Sequence, residues 1–312
     1  MNIIEIILSP IIALLMGIFF LGLARKIMAR IHWRYGPPIY QPVIDIIRLL
    51  SQKAISHGFI FDMGIIISLA GSFLVILFLP LGIMCPLSYS GGLLVIVYIL
   101  LLSPLGIALS GGEAANPNTS IGISRKFILT LGYEVPVLLI LLAVMTHYNT
   151  ISLVEIVNRQ TETGWSLSSL PLLLSGVAYF LILPAILGVR PFEVVGAAQE
   201  ISSGPQVEYG GEYLAFTTIG HGLNEFIGIA LFVNLFMGGW DLFGVFTPIA
   251  NTVLGNIVGI IVFLVKMVLV FIIGLFIHAV FPRFRIEQAI KYLWIWPTLF
   301  AFVSLLIVII VH

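Results

Sequence analysis

The sequence predicts an all-α integral membrane protein: about eight transmembrane helices plus one amphipathic helix lying along the cytoplasmic interface. Three observations carry this. Hydrophobic residues make up 60% of the 312 and charged residues only 9%, against about 25% charged in an ordinary soluble domain. Too few polar residues remain to cover a globule of this size, so lipid must cover most of it. Apolar stretches then recur at a length of about 20 residues, the length a helix needs to cross the hydrocarbon core. Finally, the positive charges fall on alternate loops.

Eight segments meet the length requirement: 3–24, 63–84, 92–110, 127–147, 167–189, 214–238, 252–281 and 291–311. The first lacks the basic lead of a cleaved signal peptide, and its charges Arg25, Lys26, Arg30 and Arg34 follow it instead. It reads as a retained first helix with its N-terminus outside. The intervening loops 25–62, 111–126, 190–213 and 282–291 then lie in the cytoplasm. Of the 14 Lys and Arg residues, 12 fall in these loops or at their edges, Arg159 falls on the opposite side and Lys266 within a span. That asymmetry is a strong positive-inside signal and puts both termini outside. No linker or shift in composition divides the chain, so 1–312 reads as a single transmembrane domain. Residues 43–57 repeat with a helical period: Val43, Ile47, Leu50 and Ala54 share one face, and Asp45, Arg48 and Gln52 another. Pro42 suits the start of such an interfacial helix.

Composition also excludes functions. Net charge is zero, which leaves no basic footprint for nucleic acid. The single cysteine, Cys85, rules out a disulfide framework and an iron–sulfur cluster held by cysteines of this chain alone. Walker, dinucleotide-glycine and zinc-protease motifs are missing. Neither a catalytic group nor a metal or organic cofactor is expected here, and any electrons travel in other subunits.

An ionised group at mid-bilayer costs about 2.5–3.5 kcal/mol on insertion scales, so each one needs a reason. Glu134, His221, Asn224, Glu225, Lys266 and His278 are the candidates. His221 and Glu225, spaced i,i+4, share a helix face and can exchange a hydrogen bond or a proton. For Glu134 and Lys266 a buried path for H⁺ or Na⁺ is favoured over a contact that only holds helices together. His278, near a span end, reads as reaching the headgroup layer. The 190–213 loop carries Arg190, Glu193, Glu200, Glu208 and Glu212 among four glycines. It is long for a mere connector and reads as a shaped surface covered by another subunit.

The cytoplasmic loops carry a family resemblance. Residues 25–53, RKIMARIHWRYGPPIYQPVIDIIRLLSQK, resemble the first cytoplasmic loop of the complex I membrane subunit at the junction with the peripheral arm, known as the H subunit in bacterial naming. The matching residues are Arg25-Lys26, Arg34-Tyr35-Gly36-Pro37, Gln41-Pro42, Asp45 and Arg48. Residues 125–136, RKFILTLGYEVP, are similar to that family's arginine-led helix, with Gly132-Tyr133-Glu134 at its signature. Arg190-Pro191-Phe192-Glu193, Glu200, Gly204 and Glu208-Tyr209-Gly210-Gly211 resemble its acidic loop, and Pro282 through Gln288 with Trp294 its last cytoplasmic loop. The departures are Gly196 and Ala198 where quinone-using members carry carboxylates, Ala24 before Arg25, and His221 in place of a glutamate. Such thinning looks like the M subunit of the archaeal membrane-bound energy-converting [NiFe] hydrogenases and their sulfur-reducing relatives.

The resemblance implies a membrane anchor in the cell membrane that docks a peripheral redox arm and couples electron transfer to H⁺ or Na⁺ translocation. Its partners would be hydrogenase-like large and small subunits fed by ferredoxin, antiporter-like membrane subunits and small membrane subunits. The NiFe or related centre and the iron–sulfur clusters would sit in those partners. Glu134, Glu193, Glu200, Glu208, His221, Glu225 and Lys266 would form the charge path. Arg34, Asp45, Arg48, Arg125, Arg190, Arg283 and Arg285 would hold the arm. Two other readings stand beside it. One is the quinone-binding H subunit of NADH:quinone oxidoreductase, with the acidic loop and the interfacial helix walling a quinone tunnel. The other is a stand-alone ion transporter.

Overall fold

The computed structural model describes residues 3–87, 92–114, 116–242 and 253–311. Eight of its helices are long and apolar enough to span a bilayer. In chain order the helices are α1 (Ile3–Ile31), α2 (Gln41–Leu50), α3 (Phe59–Phe78), α4 (Leu93–Leu100), α5 (Leu102–Glu113), α6 (Pro117–Tyr148), α7 (Leu153–Thr163), α8 (Leu170–Leu187), α9 (Ala198–Ile201), α10 (Gly211–Phe236), α11 (Val253–Val280) and α12 (Ile286–Val311). Helices α4 and α5 are two halves of one span. They break at Leu101, where Pro104 offers no N–H to the Leu100 carbonyl. The protein is an all-α, multi-pass membrane protein.

All eight expected spans are present, but the loops expected on the cytoplasmic side are shorter than predicted. Loop 25–62 loses its start to α1, which runs on to Ile31, and its end to α3, which begins at Phe59. Loop 111–126 is nearly all helix: α5 reaches Glu113 and α6 starts at Pro117, capped by the Asn116 side chain accepting from the Asn118 N–H at 3.0 Å. Arg125 and Lys126 therefore stand on a helix. Loop 282–291 ends early because α12 begins at Ile286. The interfacial helix covers 41–50, not 43–57. It stops because the Gln52 carbonyl accepts from the Glu212 N–H at 3.2 Å, which ties the chain down to the start of α10. Pro42 and Ile46 are its buried residues, while Val43, Ile47 and Leu50 face outward. Residue 252, the expected start of the seventh span, lies outside the described residues.

Helix α10 is the centre of the bundle, 83% buried over its apolar stretch against 22% for α12, and it packs on α1, α2, α3, α8 and α11. Small residues allow the closest approaches. A Cβ on Gly17 of α1 would lie 2.7 Å from the Gly222 carbonyl oxygen of α10. At the α3–α5 crossing, a Cβ on Gly106 would collide with both the Gly64 carbonyl oxygen and the Ser68 nitrogen. Lipid supplies no hydrophobic drive between helices, so contact of this closeness is what holds them. Gly106→Val is accordingly expected to destabilise the bundle by about 1–3 kcal/mol, the usual range for overpacking, and to lower its thermal midpoint in detergent. An unchanged midpoint would mean that the crossing is loose.

Candidate functional site

The polar residues collect on the N-terminal half of α10 and on the helices around it. Between α1, α2 and α10 lies a cleft of about 580 Å³, walled by Arg25, Asp45, Arg48, Gln52, Gln206, Thr217, Thr218 and His221, with apolar Leu21, Leu49 and Leu214. His221, Thr217 and Gln206 also line a second cavity of about 200 Å³, with Lys126, Glu193, Tyr209 and Asn224. Lys126 and Asn224 in turn line a third cavity of about 80 Å³, with Thr130, Tyr133, Glu134 and Tyr179. Neighbouring cavities thus share side chains all the way from the interfacial helix to Glu134.

Asn224 is fixed at the last junction. Its amide donates to Ser103 Oγ at 3.0 Å and accepts from Ser72 Oγ at 3.2 Å. Tyr179 is held by donating to the Gly228 carbonyl at 2.9 Å. Glu134 makes no hydrogen bond or ion pair among the described residues and faces the third cavity. Glu225 is buried beside this run without lining it. Its Oε1 stands 4.0 Å from His221 Nε2, too long for a hydrogen bond, and its Oε2 has no partner among the described residues. The i,i+4 spacing thus brings the two groups to one face, but not into contact.

The acidic loop between α8 and α10 folds inward. Phe192, Val194, Ala197, Ile201 and Tyr209 are all buried, and Pro205 seats against Gly122 of α6. Its carboxylates are paired within the chain. Glu193 takes Arg283 at 2.9 Å and Arg190 at 3.2 Å, Glu200 takes Arg125 at 2.7 Å, and Glu208 takes His57 at 3.3 Å and the Asn116 amide at 2.7 Å. Burial pushes the Glu193 carboxyl upward, but hydrogen bonds from Arg283 and Arg190 outweigh it and hold the group below the usual carboxylate range. Asp45 is lowered too, first by the hydrogen bond from Arg25 at 2.7 Å and then by that from Gln41.

Expected docking residues Arg125, Arg190, Arg283 and Asp45 are therefore engaged in shaping the chain itself. Arg34, Arg48 and Arg285 are exposed and unpaired among the described residues. Beside Arg34 lies a residue that no sequence motif singles out: Trp33 is 98% exposed and sits at φ 58°.

The family described as NADH dehydrogenase matches residues 4–309. The chain belongs to that family.

Among curated relatives of this NADH dehydrogenase family member is hydrogenase-4 component C of Escherichia coli (strain K12), 33% identical over 73% of each chain. Another is the H subunit of F(420)H(2) dehydrogenase from Methanosarcina mazei, 28% identical over 90% of this chain and 86% of the relative. The H subunit of NADH-quinone oxidoreductase from Wolbachia pipientis wMel is 27% identical over 94% of this chain and 92% of the relative. A solved structure, the membrane-bound sulfane sulfur reductase described as an archaeal respiratory membrane complex, contains a chain similar to this one. The two superpose with a TM-score of 0.90 and 39% identity over 98% of each. The relatives are membrane subunits of complex I-like energy-converting complexes, as the cytoplasmic motifs implied.

Other expected site residues of this family member stand apart from the cavities. Lys266 donates to the carbonyls of Met237 at 2.6 Å, Gly239 at 3.0 Å and Asp241 at 2.5 Å, and its ammonium lies 4.9 Å from the centre of the Trp165 ring. Glu225 is twelve residues before Met237 on the same chain, about 18 Å at the helical rise, so Lys266 does not neighbour Glu225. His278 Nδ1 accepts from the Arg190 N–H at 2.8 Å and is tied to the acidic loop. No three His, Cys, Asp or Glu among the described residues are grouped to hold a metal.

Proposed function

We propose that this chain anchors a peripheral redox arm at the cytoplasmic face of the cell membrane and couples its electron transfer to H⁺ or Na⁺ translocation by neighbouring antiporter-like subunits. The arm in this reading is hydrogenase-like or sulfur-reducing and fed by ferredoxin, with its NiFe or related centre and iron–sulfur clusters outside this chain. The supporting observation is the series of three cavities that share side chains from the α1–α2–α10 cleft to Glu134. Glu193, Glu200 and Glu208 shape its cytoplasmic mouth, His221 stands where the first two cavities meet, Glu225 lies beside it and Glu134 at its inner end. Lys266 closes the far end of α10. Both termini are outside in this reading. A cysteine at Ser120 should then be labelled only from the inside of intact cells and one at Glu162 only from the outside, and the reverse pattern would invert the orientation.

One observation favours a second reading. The cleft beside α2 is where a quinone tunnel would open, and its volume of about 580 Å³ falls in the range of small-molecule sites. The missing carboxylates at Gly196 and Ala198 weigh against it. Turnover of the complex purified through this subunit, with ferredoxin in quinone-free detergent, separates the two. Full turnover that resists quinone-site inhibitors supports the first, and strict dependence on added quinone replaces it with the second.

A further inference from the structure

Among the described residues, Lys126 is the lysine that faces the internal cavities. It stands on the third turn of α6 and lines both interior cavities, with Asn224 beside it at their junction. Its ammonium makes no hydrogen bond or ion pair with any described residue, unlike Lys266 with its three carbonyls. An ammonium inside a protein must be solvated or give up its proton. The adjoining cavities, about 200 and 80 Å³, exceed the ~30 Å³ that one water occupies; the larger has mixed polar and apolar walls, and the smaller is mostly apolar, with Lys126, Thr130, Tyr133, Glu134, Tyr179 and Asn224 as the polar partners a water there would use.

The titratable groups lining the two cavities with Lys126 come from α6, α8, α10 and the acidic loop, while α3, α4 and α5 contribute none. Tyr133 and Glu134 follow it on α6, Tyr179 faces it from α8, His221 from α10, and Glu193 and Tyr209 from the acidic loop. Glu134 is eight residues further along the same helix, about 12 Å at the helical rise, a distance for water and hydroxyls to bridge and not for direct contact. The Thr130 and Tyr133 hydroxyls line the intervening wall.

We propose that Lys126 is a proton-carrying group at the junction of the two interior cavities, and that the ion moved through this chain is therefore H⁺ rather than Na⁺. The proposal rests on the coupling function proposed above. In the step, the Lys126 ammonium passes one proton through water to an ionised Glu134. This leaves a neutral amine and a carboxylic acid. The amine takes its replacement proton from the His221 side, imidazolium becoming imidazole, so charge and protons balance. Sodium has no such route. A charged lysine offers three donors and no lone pair to ligate a cation, and at the junction of the two cavities it repels one.

The test uses the whole complex in vesicles, with redox rate and ion uptake measured together across pH for Lys126→Met, Lys126→Arg and, as reference, Glu134→Gln. Arginine keeps the positive charge but does not give up its proton. All three are expected to cut uptake per electron by about tenfold or more, and the two lysine variants to alter the pH profile of uptake. Normal uptake by Lys126→Arg would overturn the relay, because a fixed charge would then suffice. Normal uptake by Lys126→Met, with Glu134→Gln uncoupled, would also overturn it while leaving the coupling function standing. Normal uptake by all three would remove both. If neither lysine variant assembles while Glu134→Gln does, Lys126 is a structural cation and the proposal fails. Redox-driven Na⁺ uptake that survives a protonophore and requires Lys126 would overturn the proton assignment.

Discussion

Glu134→Gln is expected to leave assembly and ferredoxin oxidation largely intact and to lower ion uptake per electron by about tenfold or more, the low end of what loss of a proton-transferring side chain costs. The substitution keeps shape and hydrogen-bonding capacity while removing the titratable proton. Glu134 is suited to the test because it has no partner to lose among the described residues and faces a small, mostly apolar cavity. A structural contact would need only a donor or acceptor, which glutamine supplies. Glu225→Gln should act in the same direction, with its Oε2 likewise unpartnered. Lys266→Met would answer a different question, because it strips three carbonyls of their shared donor and so disturbs the turn after α10. The measurement is ion uptake in vesicles beside the redox rate. If both glutamine variants pump normally at a normal rate, the buried carboxylates are structural.

The second large effect is expected at the docking face. Combining Trp33→Ala with Arg34→Glu should weaken retention of the peripheral arm by about 2 kcal/mol or more, the level of an interface hot spot, or about 30-fold in the dissociation constant. Single reversals at Arg48 or Arg285 should each cost about 1 kcal/mol or less, the usual worth of an exposed charge. Tryptophan decides the size of the effect. An indole 98% exposed is placed for a partner, whereas the Tyr35 ring next to it already has cationic neighbours in Lys26 at 4.8 Å and Arg30 at 4.9 Å. Washing immobilised membranes with salt and quantifying the redox subunits retained gives the answer. Full retention by the double variant would move the docking face elsewhere.

The sequence displays what the bilayer demands and hides what the chain supplies to itself. Spans are legible because hydrocarbon permits little else at those lengths. Helix α7 is hidden because its 153–163 stretch mixes Glu155, Arg159 and Glu162 with apolar residues and lies outside the hydrocarbon, where no such constraint applies. Arg125 and Lys126 look like loop residues because adjacent cations read as a span boundary, yet the Asn116 cap starts the helix two turns earlier. Glu134, His221 and Glu225 stand out as charges where charges are costly. The roles of Arg125, Arg190 and Arg283 do not, since their partners Glu200 and Glu193 are set by how the acidic loop folds. The cradle around Lys266 is made of main-chain carbonyls, which every residue has and no sequence pattern advertises.

That cradle has a mechanical consequence. The far end of α10 is fastened three ways. Gln160 donates to the Asn234 and Leu235 carbonyls at 3.0 and 3.1 Å, Asn234 reaches the Pro80 carbonyl at 3.1 Å, and Lys266 holds the turn beyond. The near end is held more lightly, by the Glu212 N–H to the Gln52 carbonyl at 3.2 Å and the Tyr213 hydroxyl to Asp62 at 2.7 Å, and is bordered by the α1–α2–α10 cleft. A rod pinned at one end answers a sideways push at the other by tilting about the pin and cannot slide like a piston. Force applied to the acidic loop is therefore taken up at the His221 end, within the limits of the Gly17–Gly222 contact, while the Lys266 end stays still.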